Sequence, residues 1–181
     1  MQRTRLFLAA CLCAAALPSA AQQAAPTTTD APPCASPPAH AFDFWLGDWD
    51  VTRPDGAPAG RSHVEAILDG CVVFEHWTSA TPPYAGKSLN VFNRATGRWE
   101  QFWVDNAGAR LHLAGGFAGG RMVLSGEQDK PDPKTGVVQR ERITWTPNAD
   151  GSVRQLWESS SDGGRSWTVA FDGLYRKAAS R

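Results

Sequence analysis

From Phe42 to Tyr175, apolar and polar residues alternate in short segments that are rich in β-branched and aromatic side chains. Turn residues such as Asp69-Gly70 interrupt the alternation at short intervals. No segment has the i, i+3, i+4, i+7 apolar spacing of an amphipathic helix over three turns. The pattern therefore predicts an all-β domain of about ten strands. Their predicted bounds are 44–53, 61–69, 71–79, 87–93, 98–105, 109–115, 121–127, 138–147, 152–160 and 166–176.

Short connections join most of these strands, so neighbours in sequence are predicted to be antiparallel neighbours in an up-and-down meander. An open sheet of about ten strands would leave two unpaired edges, and closing it into a barrel removes them. Such a barrel is also wide enough for a ligand, because a barrel of about eight strands is filled by side chains or holds one small molecule. We therefore expect one antiparallel barrel domain over residues 40–177.

The first residues have the composition of an export signal. Arg3 and Arg5 precede an uncharged run of apolar and small residues, Leu6–Leu17, and Ser19-Ala20-Ala21 then fits a signal-peptidase site. Residues 1–21 are therefore predicted to be a cleaved signal peptide. Its apolar run is shorter than the ~20 residues of a membrane span.

The next segment, residues 22–39, is rich in Ala, Pro, Thr and Gln and has almost no large apolar residues. This composition predicts a flexible tether. No later stretch is long and apolar enough to be a transmembrane helix, so we expect a periplasmic or secreted protein without a membrane span. Without residues 1–21 the chain has 16 basic and 18 acidic residues, which gives no basic footprint for nucleic acid.

Four cysteines are present, and two of them, Cys11 and Cys13, belong to the predicted signal peptide. Lipidation at Cys11 is disfavoured because almost no hydrophobic core precedes it. Cys34 and Cys71 remain after cleavage, and an even pair in an oxidising compartment favours one disulfide. The alternative is two unpaired thiols, with Cys71 as a small buried residue.

The segment Phe42–Val51 contains a Gly47-x-Trp49 element that resembles the signature of calycin barrels, which include lipocalins and fatty-acid-binding proteins. The wider pattern is similar to an uncharacterised family of exported bacterial calycin-like proteins. This resemblance implies a barrel with Gly47 and Trp49 as fold residues and the Trp packed across one end, and it implies no activity. The other matching segments are Asp69-Gly70-Cys71, Gly86–Asn90, Ile143–Pro147 and Ser166–Gly173.

The same opening resembles ten-stranded, nitrobindin-like haem barrels. Those proteins follow the Trp with Gly-x-Gly, whereas Asp50-Val51-Thr52 follows here. Their iron is bound by a histidine near the C-terminus, and the last histidine here is His112. The histidines also lack metal-ligand spacing. We therefore expect no haem, no metal and no other cofactor.

Three predicted strands carry a Glu or Gln two residues before a Trp, and a fourth carries Glu141, Ile143 and Trp145 at the same spacing. Residues i and i+2 share one face of a strand. If that face points inward, the interior combines indoles with a few polar groups, which is typical of a small-molecule pocket. The predicted ligand-binding residues are Glu75, Trp77, Asn90, Gln101, Trp103, Glu141, Trp145, Gln155 and Trp157.

The opposite orientation would expose these residues and place Phe74, Phe102, Val104 and Leu156 in the core. The inward orientation is favoured because several exposed tryptophans would form a large apolar patch. Under it, Gln101 faces a wet cavity, and we expect its replacement by Leu to cost less than about 1 kcal/mol.

No catalytic motif is recognisable; for example, Gly86-Lys87-Ser88 lacks the upstream glycine of a phosphate-binding loop. The leading hypothesis is an exported barrel that binds a small, partly apolar molecule. The second is a hydrolase or isomerase-type enzyme in the same cavity, with Glu75 or Glu141 as general base and Gln101 or Gln155 orienting the substrate. The third is a non-catalytic envelope protein with a filled core. Ligand identity and oligomeric state stay open.

Overall fold

The structure is a computed structural model that describes residues 34–179. The predicted signal peptide, Cys11 and the first part of the predicted tether lie outside these residues. Two short 3₁₀ helices, Pro37–His40 and Asp43–Trp45, precede ten strands. The strands are β1 Gly47–Thr52, β2 Pro58–Ile67, β3 Val72–Ser79, β4 Ala85–Asn93, β5 Arg98–Asp105, β6 Arg110–Ala118, β7 Arg121–Glu127, β8 Arg140–Pro147, β9 Val153–Ser160 and β10 Thr168–Lys177.

The ten strands form one closed barrel in which every neighbouring pair is antiparallel. Each strand pairs with its neighbours in sequence, and β1 closes the barrel by pairing with β10, where Trp49 lies opposite Lys177. The predicted all-β meander and its closure are therefore confirmed. The first strand starts later than predicted, because Asp43–Trp45 forms a 3₁₀ helix and β1 begins at Gly47.

The inward face is the one that carries the Glu or Gln and Trp pairs. Glu75 and Gln101 are buried, whereas Phe102 is 44% exposed and Val104 is 54% exposed. Phe74 and Leu156, on the same outward side of their strands, are only partly buried. The alternative in which these four apolar residues fill the core is therefore excluded.

The N-terminal segment closes one end of the barrel. Phe42 and Trp45 are three residues apart, which places both side chains on one side of a 3₁₀ turn, and both are fully buried. Phe42 stacks on Trp45 and meets Trp99 and Trp145 edge to face, with ring centroids 5.1 to 5.5 Å apart. The Trp99 indole also donates to the Pro38 carbonyl at 3.0 Å. We call this end the capped end, and the other end, where β1 and β3 finish, the open end.

A disulfide between Cys34 and Cys71 attaches residues 34–46, which we call the capping segment, to the turn between β2 and β3. Their Cα atoms are 5.2 Å apart and 37 positions separate them in sequence. The predicted pairing of these two cysteines is therefore present. The segment that follows Cys34 includes the first 3₁₀ helix and the buried Ala39, so part of the segment predicted as a tether is structured.

Trp49 lies at the capped end, 1% exposed, and its indole donates to the Trp45 carbonyl at 2.8 Å. The Lys177 ammonium sits 3.8 Å from the centroid of the Trp49 ring and donates to the Leu46 carbonyl. Gly47 has φ +130°, and a Cβ there would collide with Lys177. The glycine therefore leaves space for the cation that covers Trp49, and this closed ten-stranded barrel is consistent with a calycin-like fold.

Between residues 34 and 179, no helix has the length and apolar character that a membrane span requires.

Candidate ligand-binding site

A cavity of about 380 Å³ lies inside the barrel. Residues at the open end form its mouth: Arg53 follows β1, Ser79 ends β3 and Tyr84 precedes β4. Its deeper wall comes from inward-facing residues of β3, β5, β9 and β10. Its lining residues are Arg53, Ala59, Glu75, Trp77, Ser79, Tyr84, Gln101, Trp103, Leu111, Ile143, Gln155, Trp157, Ala170, Phe171 and Tyr175.

Six of the nine predicted ligand-binding residues line this cavity, and they form the three predicted pairs. These residues are Glu75, Trp77, Gln101, Trp103, Gln155 and Trp157.

The other three predicted residues are buried but do not line the cavity. Trp145 is fully buried at the capped end, packed against Phe42 and Trp45. Asn90 lies in the wall behind Gln101, to which its side chain is hydrogen-bonded. Glu141 lies near the open end of β8, bonded to residues of β9 and to Gln128 in the loop between β7 and β8. These three side chains support the wall, and none of them forms its surface.

Glu75 is 3% exposed and accepts two hydroxyl hydrogen bonds. Ser62 of β2 donates to Oε1 and Ser88 of β4 donates to Oε2, both at 3.0 Å. Burial raises the pKa of Glu75 to about 7, because desolvation disfavours the charged form by more than the two serine hydrogen bonds favour it. Glu75 therefore changes its charge near neutral pH inside an otherwise uncharged section of the wall.

The hydrogen bonds behind Glu75 run in one direction, and we call them the donor chain. Gln101 Nε2 donates to Asn90 Oδ1 at 2.9 Å, and Asn90 Nδ2 donates to Ser88 Oγ at 3.0 Å. Because Ser88 Oγ accepts this bond, its own hydrogen is available for Glu75 Oε2. Asn90 Nδ2 also donates to the Val73 carbonyl at 2.9 Å, which fixes the orientation of the amide. The donor chain therefore ends on a carboxylate oxygen that acts as acceptor.

Glu141 holds a second, separate network. Its carboxylate is 1% exposed and accepts hydrogen bonds of 2.6 Å from Gln128 Nε2, Trp157 Nε1 and Ser159 Oγ. Glu141 thereby fixes the indole of Trp157, which forms part of the cavity wall. Within residues 34–179, Glu75 and Glu141 share no hydrogen-bond partner, so the two carboxylates have different surroundings.

Gln155 and Tyr175 supply the polar groups of the opposite wall. The Tyr175 hydroxyl donates to Gln155 Oε1 at 2.5 Å, which leaves the amide nitrogen of Gln155 as a donor. Burial raises the pKa of Tyr175 well above its usual value, and the Glu75 charge raises it further. Tyr175 therefore stays a neutral hydroxyl beside Glu75.

Glycines make room for two of the indoles. A Cβ at Gly60 would lie 2.7 Å from the Trp77 ring, and a Cβ at Gly86 would collide with the Trp103 ring. Each indole thus lies against the bare backbone of the adjoining strand. Trp77 also meets Phe171 edge to face at 5.8 Å. Gly60 on β2 and Gly86 on β4 therefore determine where the Trp77 and Trp103 rings lie in the cavity wall.

Several residues of the site were not predicted from the sequence. Ser88 precedes Asn90 by two residues on β4, so the same spacing rule that identified the Trp pairs places it on the inward face. Phe171 and Tyr175 of β10 follow the same alternation. Ser62, Arg53 and Tyr84 carry no comparable local signal, because only strand register and loop position bring them to Glu75 or to the mouth.

The histidines lie away from the cavity. His63 and His76 are on the outer faces of β2 and β3, where they contact Asp48, Glu65 and Lys87. In the described part of the chain, no group of three or more His, Cys, Asp and Glu side chains is placed to hold a metal ion.

Comparison of the chain with protein-family models and with curated proteins finds no match.

Proposed function

We propose that this protein is an exported barrel that binds one small, partly apolar molecule in the cavity at its open end. The observation that carries the proposal is the composition of the wall: three indoles, a Phe and aliphatic residues surround a few buried hydrogen-bonding groups. A volume of about 380 Å³ falls in the usual range for small-molecule sites.

The buried polar groups support this proposal. Glu75 and Gln101 are costly to bury, and apolar residues of similar size would fill the interior more stably. The position of Glu75 and Gln101 on the cavity surface is explained if a ligand forms hydrogen bonds with them. A filled-core envelope protein would not need such groups beside an open cavity.

Export is part of the proposal. The signal-like segment 1–21 and the Cys34–Cys71 disulfide both fit an oxidising compartment. The Gly47-x-Trp49 opening and the ten-stranded barrel support placing the chain among exported calycin-like proteins.

Native mass spectrometry of protein purified from its own cell envelope tests the binding function. We expect a bound small molecule that survives gentle desolvation. Its occupancy should fall at least tenfold in Trp103→Ala, where part of the wall is lost, and should be unchanged in Phe102→Ala. Phe102 is the matched control, because it is the preceding residue of β5 and points outward. A ligand retained equally by both variants, or no ligand with either natural extract or added probes, would contradict the proposal.

A second candidate function is supported by the raised pKa of Glu75. A carboxylate whose pKa is about 7 is suited to act as general base near neutral pH, and Gln101 or Gln155 would orient a substrate beside it. The test is to incubate the small-molecule fraction released from the protein with fresh protein and to follow masses over time. Conversion that disappears in Glu75→Gln would favour an enzyme, and an unchanged mass would favour a binding protein.

A further inference from the structure

The charges of the cavity are unevenly distributed. Among the residues that line it, Glu75 is the one acidic side chain and Arg53 is the one basic side chain. Glu75 is buried in the deep wall, whereas Arg53 is exposed at the mouth. The titratable side chains Tyr84 and Tyr175 carry no charge near neutral pH, because the ordinary pKa of a tyrosine is 10.0 and burial raises the pKa of both further. Among the described residues, the cavity surface inside the mouth therefore carries one charged group, Glu75, and its charge is negative; the other buried carboxylate, Glu141, lies behind Trp157 and is bonded to three donors.

The hydrogen bonds of the donor chain favour the charged form of the Glu75 carboxyl group. Asn90 donates to Ser88, so the Ser88 hydroxyl must give its hydrogen to Glu75. Ser62 reaches the other carboxylate oxygen at 3.0 Å. Hydrogen bonds donated to a carboxylate favour its charged form. Among the described residues, a buried anion held in this way lacks a cation of its own, since strands β2 and β4 contribute serines here and their charged residues Arg61, Glu65 and Lys87 lie on the outer face.

Aromatic rings surround the same space. Trp77, Trp103, Trp157 and Phe171 line the cavity together with Tyr175. The faces of indole and phenyl rings attract organic cations, and the attraction is stronger where water is excluded. An aromatic wall with one carboxylate is therefore electrostatically complementary to a positive group on a partly apolar molecule.

We propose that the ligand is a small organic cation, with a protonated amine or quaternary ammonium group next to Glu75 and an apolar body against the tryptophans. This inference rests on the proposed binding function and names its ligand class. Arg53 at the mouth disfavours a second positive group and suits a molecule that carries its single charge at one end.

The inference predicts a specific pH dependence. Glu75 faces Ser62 on β2, Ser88 on β4 and the Tyr175 hydroxyl on β10, and no other charged group in the described wall lies beside it. Its raised pKa of about 7 means that it is mostly protonated at about pH 6 and mostly ionised at about pH 8. A cation binds the ionised form, so its affinity should rise about tenfold across that interval. A neutral ligand should show little change.

The experiment compares three probes that share one skeleton: phenylpropylamine, phenylpropanol and phenylpropanoate. Calorimetric titration of the complete protein at about pH 8 is expected to give at least tenfold tighter binding of the amine than of the alcohol, and weakest binding of the carboxylate. Lowering the pH to about 6 should weaken the binding of the amine about tenfold. Titration in two buffers of different ionisation enthalpy should reveal proton release when the amine binds near pH 7.

Glu75→Gln should remove both the preference for the amine and its pH dependence. Glu65→Gln is the matched control, because it removes the same charge from the outer face of β2 and should change neither. If Glu75→Gln does not fold, the three-probe series and its pH profile on the unaltered protein decide the question. Equal binding of amine and alcohol, or tighter binding of the carboxylate, would overturn the cation assignment and leave the binding function intact. Failure of all three probes to bind would contradict both.

Discussion

Gln101 Nε2 donates a 2.9 Å hydrogen bond to Asn90 Oδ1, and the two residues lie directly opposite each other on β5 and β4. Asn90 is fully buried and Gln101 is 2% exposed. The Gln101 side chain thus forms part of the cavity surface, and its amide nitrogen is the first donor of the chain that reaches Glu75.

The first prediction is that Gln101→Leu destabilises the fold by roughly 1–3 kcal/mol, because it leaves the buried Asn90 Oδ1 without a donor. The sequence alone led us to expect less than about 1 kcal/mol, and that expectation assumed an amide without a buried partner. Urea denaturation of Gln101→Leu, Asn90→Leu and the double variant measures the coupling. A double variant whose loss equals the sum of the single losses would show that the hydrogen bond contributes nothing.

The two-residue spacing of polar and aromatic side chains was sufficient to predict that Glu75, Gln101 and Gln155 each share a strand face with a tryptophan. It did not give the direction of that face, and the inward direction was favoured only because several exposed tryptophans would form a large apolar patch. Register could not be read in this way. It decides that Ser88 lies opposite Glu75 on the neighbouring strand and that Asn90 lies opposite Gln101.

The position of a residue along the barrel axis also could not be predicted from the sequence pattern. Trp145 has the same local spacing as the cavity tryptophans, but it lies at the capped end, where Phe42 and Trp45 fill the interior. The capping segment itself was assigned partly to the tether and partly to the first strand. Its two 3₁₀ turns are too short to produce a helical periodicity in the sequence, so the position of the cavity floor could not be derived.

The second prediction concerns the network that orients Trp157. Glu141→Ala removes the acceptor of three hydrogen bonds, and we expect it to lower the free energy of unfolding by about 3 kcal/mol or more. Ser159→Ala removes only one donor of the same carboxylate and should cost roughly 1 kcal/mol. Denaturant titration gives both values, and near-ultraviolet circular dichroism reports on the Trp157 indole. Equal losses in the two variants would mean that Glu141 does not organise this wall.

The third prediction concerns the disulfide that holds the capping segment. Replacement of both Cys34 and Cys71 by Ser should lower stability by about 4 kcal/mol, because the unfolded chain is no longer constrained over a loop of 37 residues. Thermal unfolding of this variant and of the oxidised protein gives the difference. Adding reductant to the oxidised protein should reproduce the loss, whereas the serine variant should be insensitive to it. Unchanged stability in both conditions would contradict a constraining role.

The fourth prediction compares two strand glycines. Gly86→Ala should displace Trp103 and cost about 1–3 kcal/mol, since the added Cβ meets the indole and also the Val104 carbonyl oxygen at 2.9 Å. Gly116→Ala is the matched control on β6, with nothing within 4 Å of the added carbon. It should leave stability unchanged or raise it by up to about 1 kcal/mol. Unfolding curves and Trp fluorescence distinguish the two, and a harmless Gly86→Ala would mean that Trp103 is free to move.

The fifth prediction follows from the burial of Glu75. Because its pKa is raised to about 7 in the folded protein and is near 4.5 when unfolded, the folded state retains a proton that the unfolded state has lost between these values. Stability attributable to Glu75 is therefore fully present below about pH 4.5 and is lost as the pH rises to about 7. Glu75→Gln has no such dependence, so its stability relative to the unaltered protein should improve by roughly 3 kcal/mol over that interval. Urea denaturation of both proteins across the pH range measures this difference, and Glu65→Gln, on the outer face, serves as the control for removal of a charge. A constant difference between Glu75→Gln and the unaltered protein would show that Glu75 has an ordinary pKa and is solvated in the folded barrel.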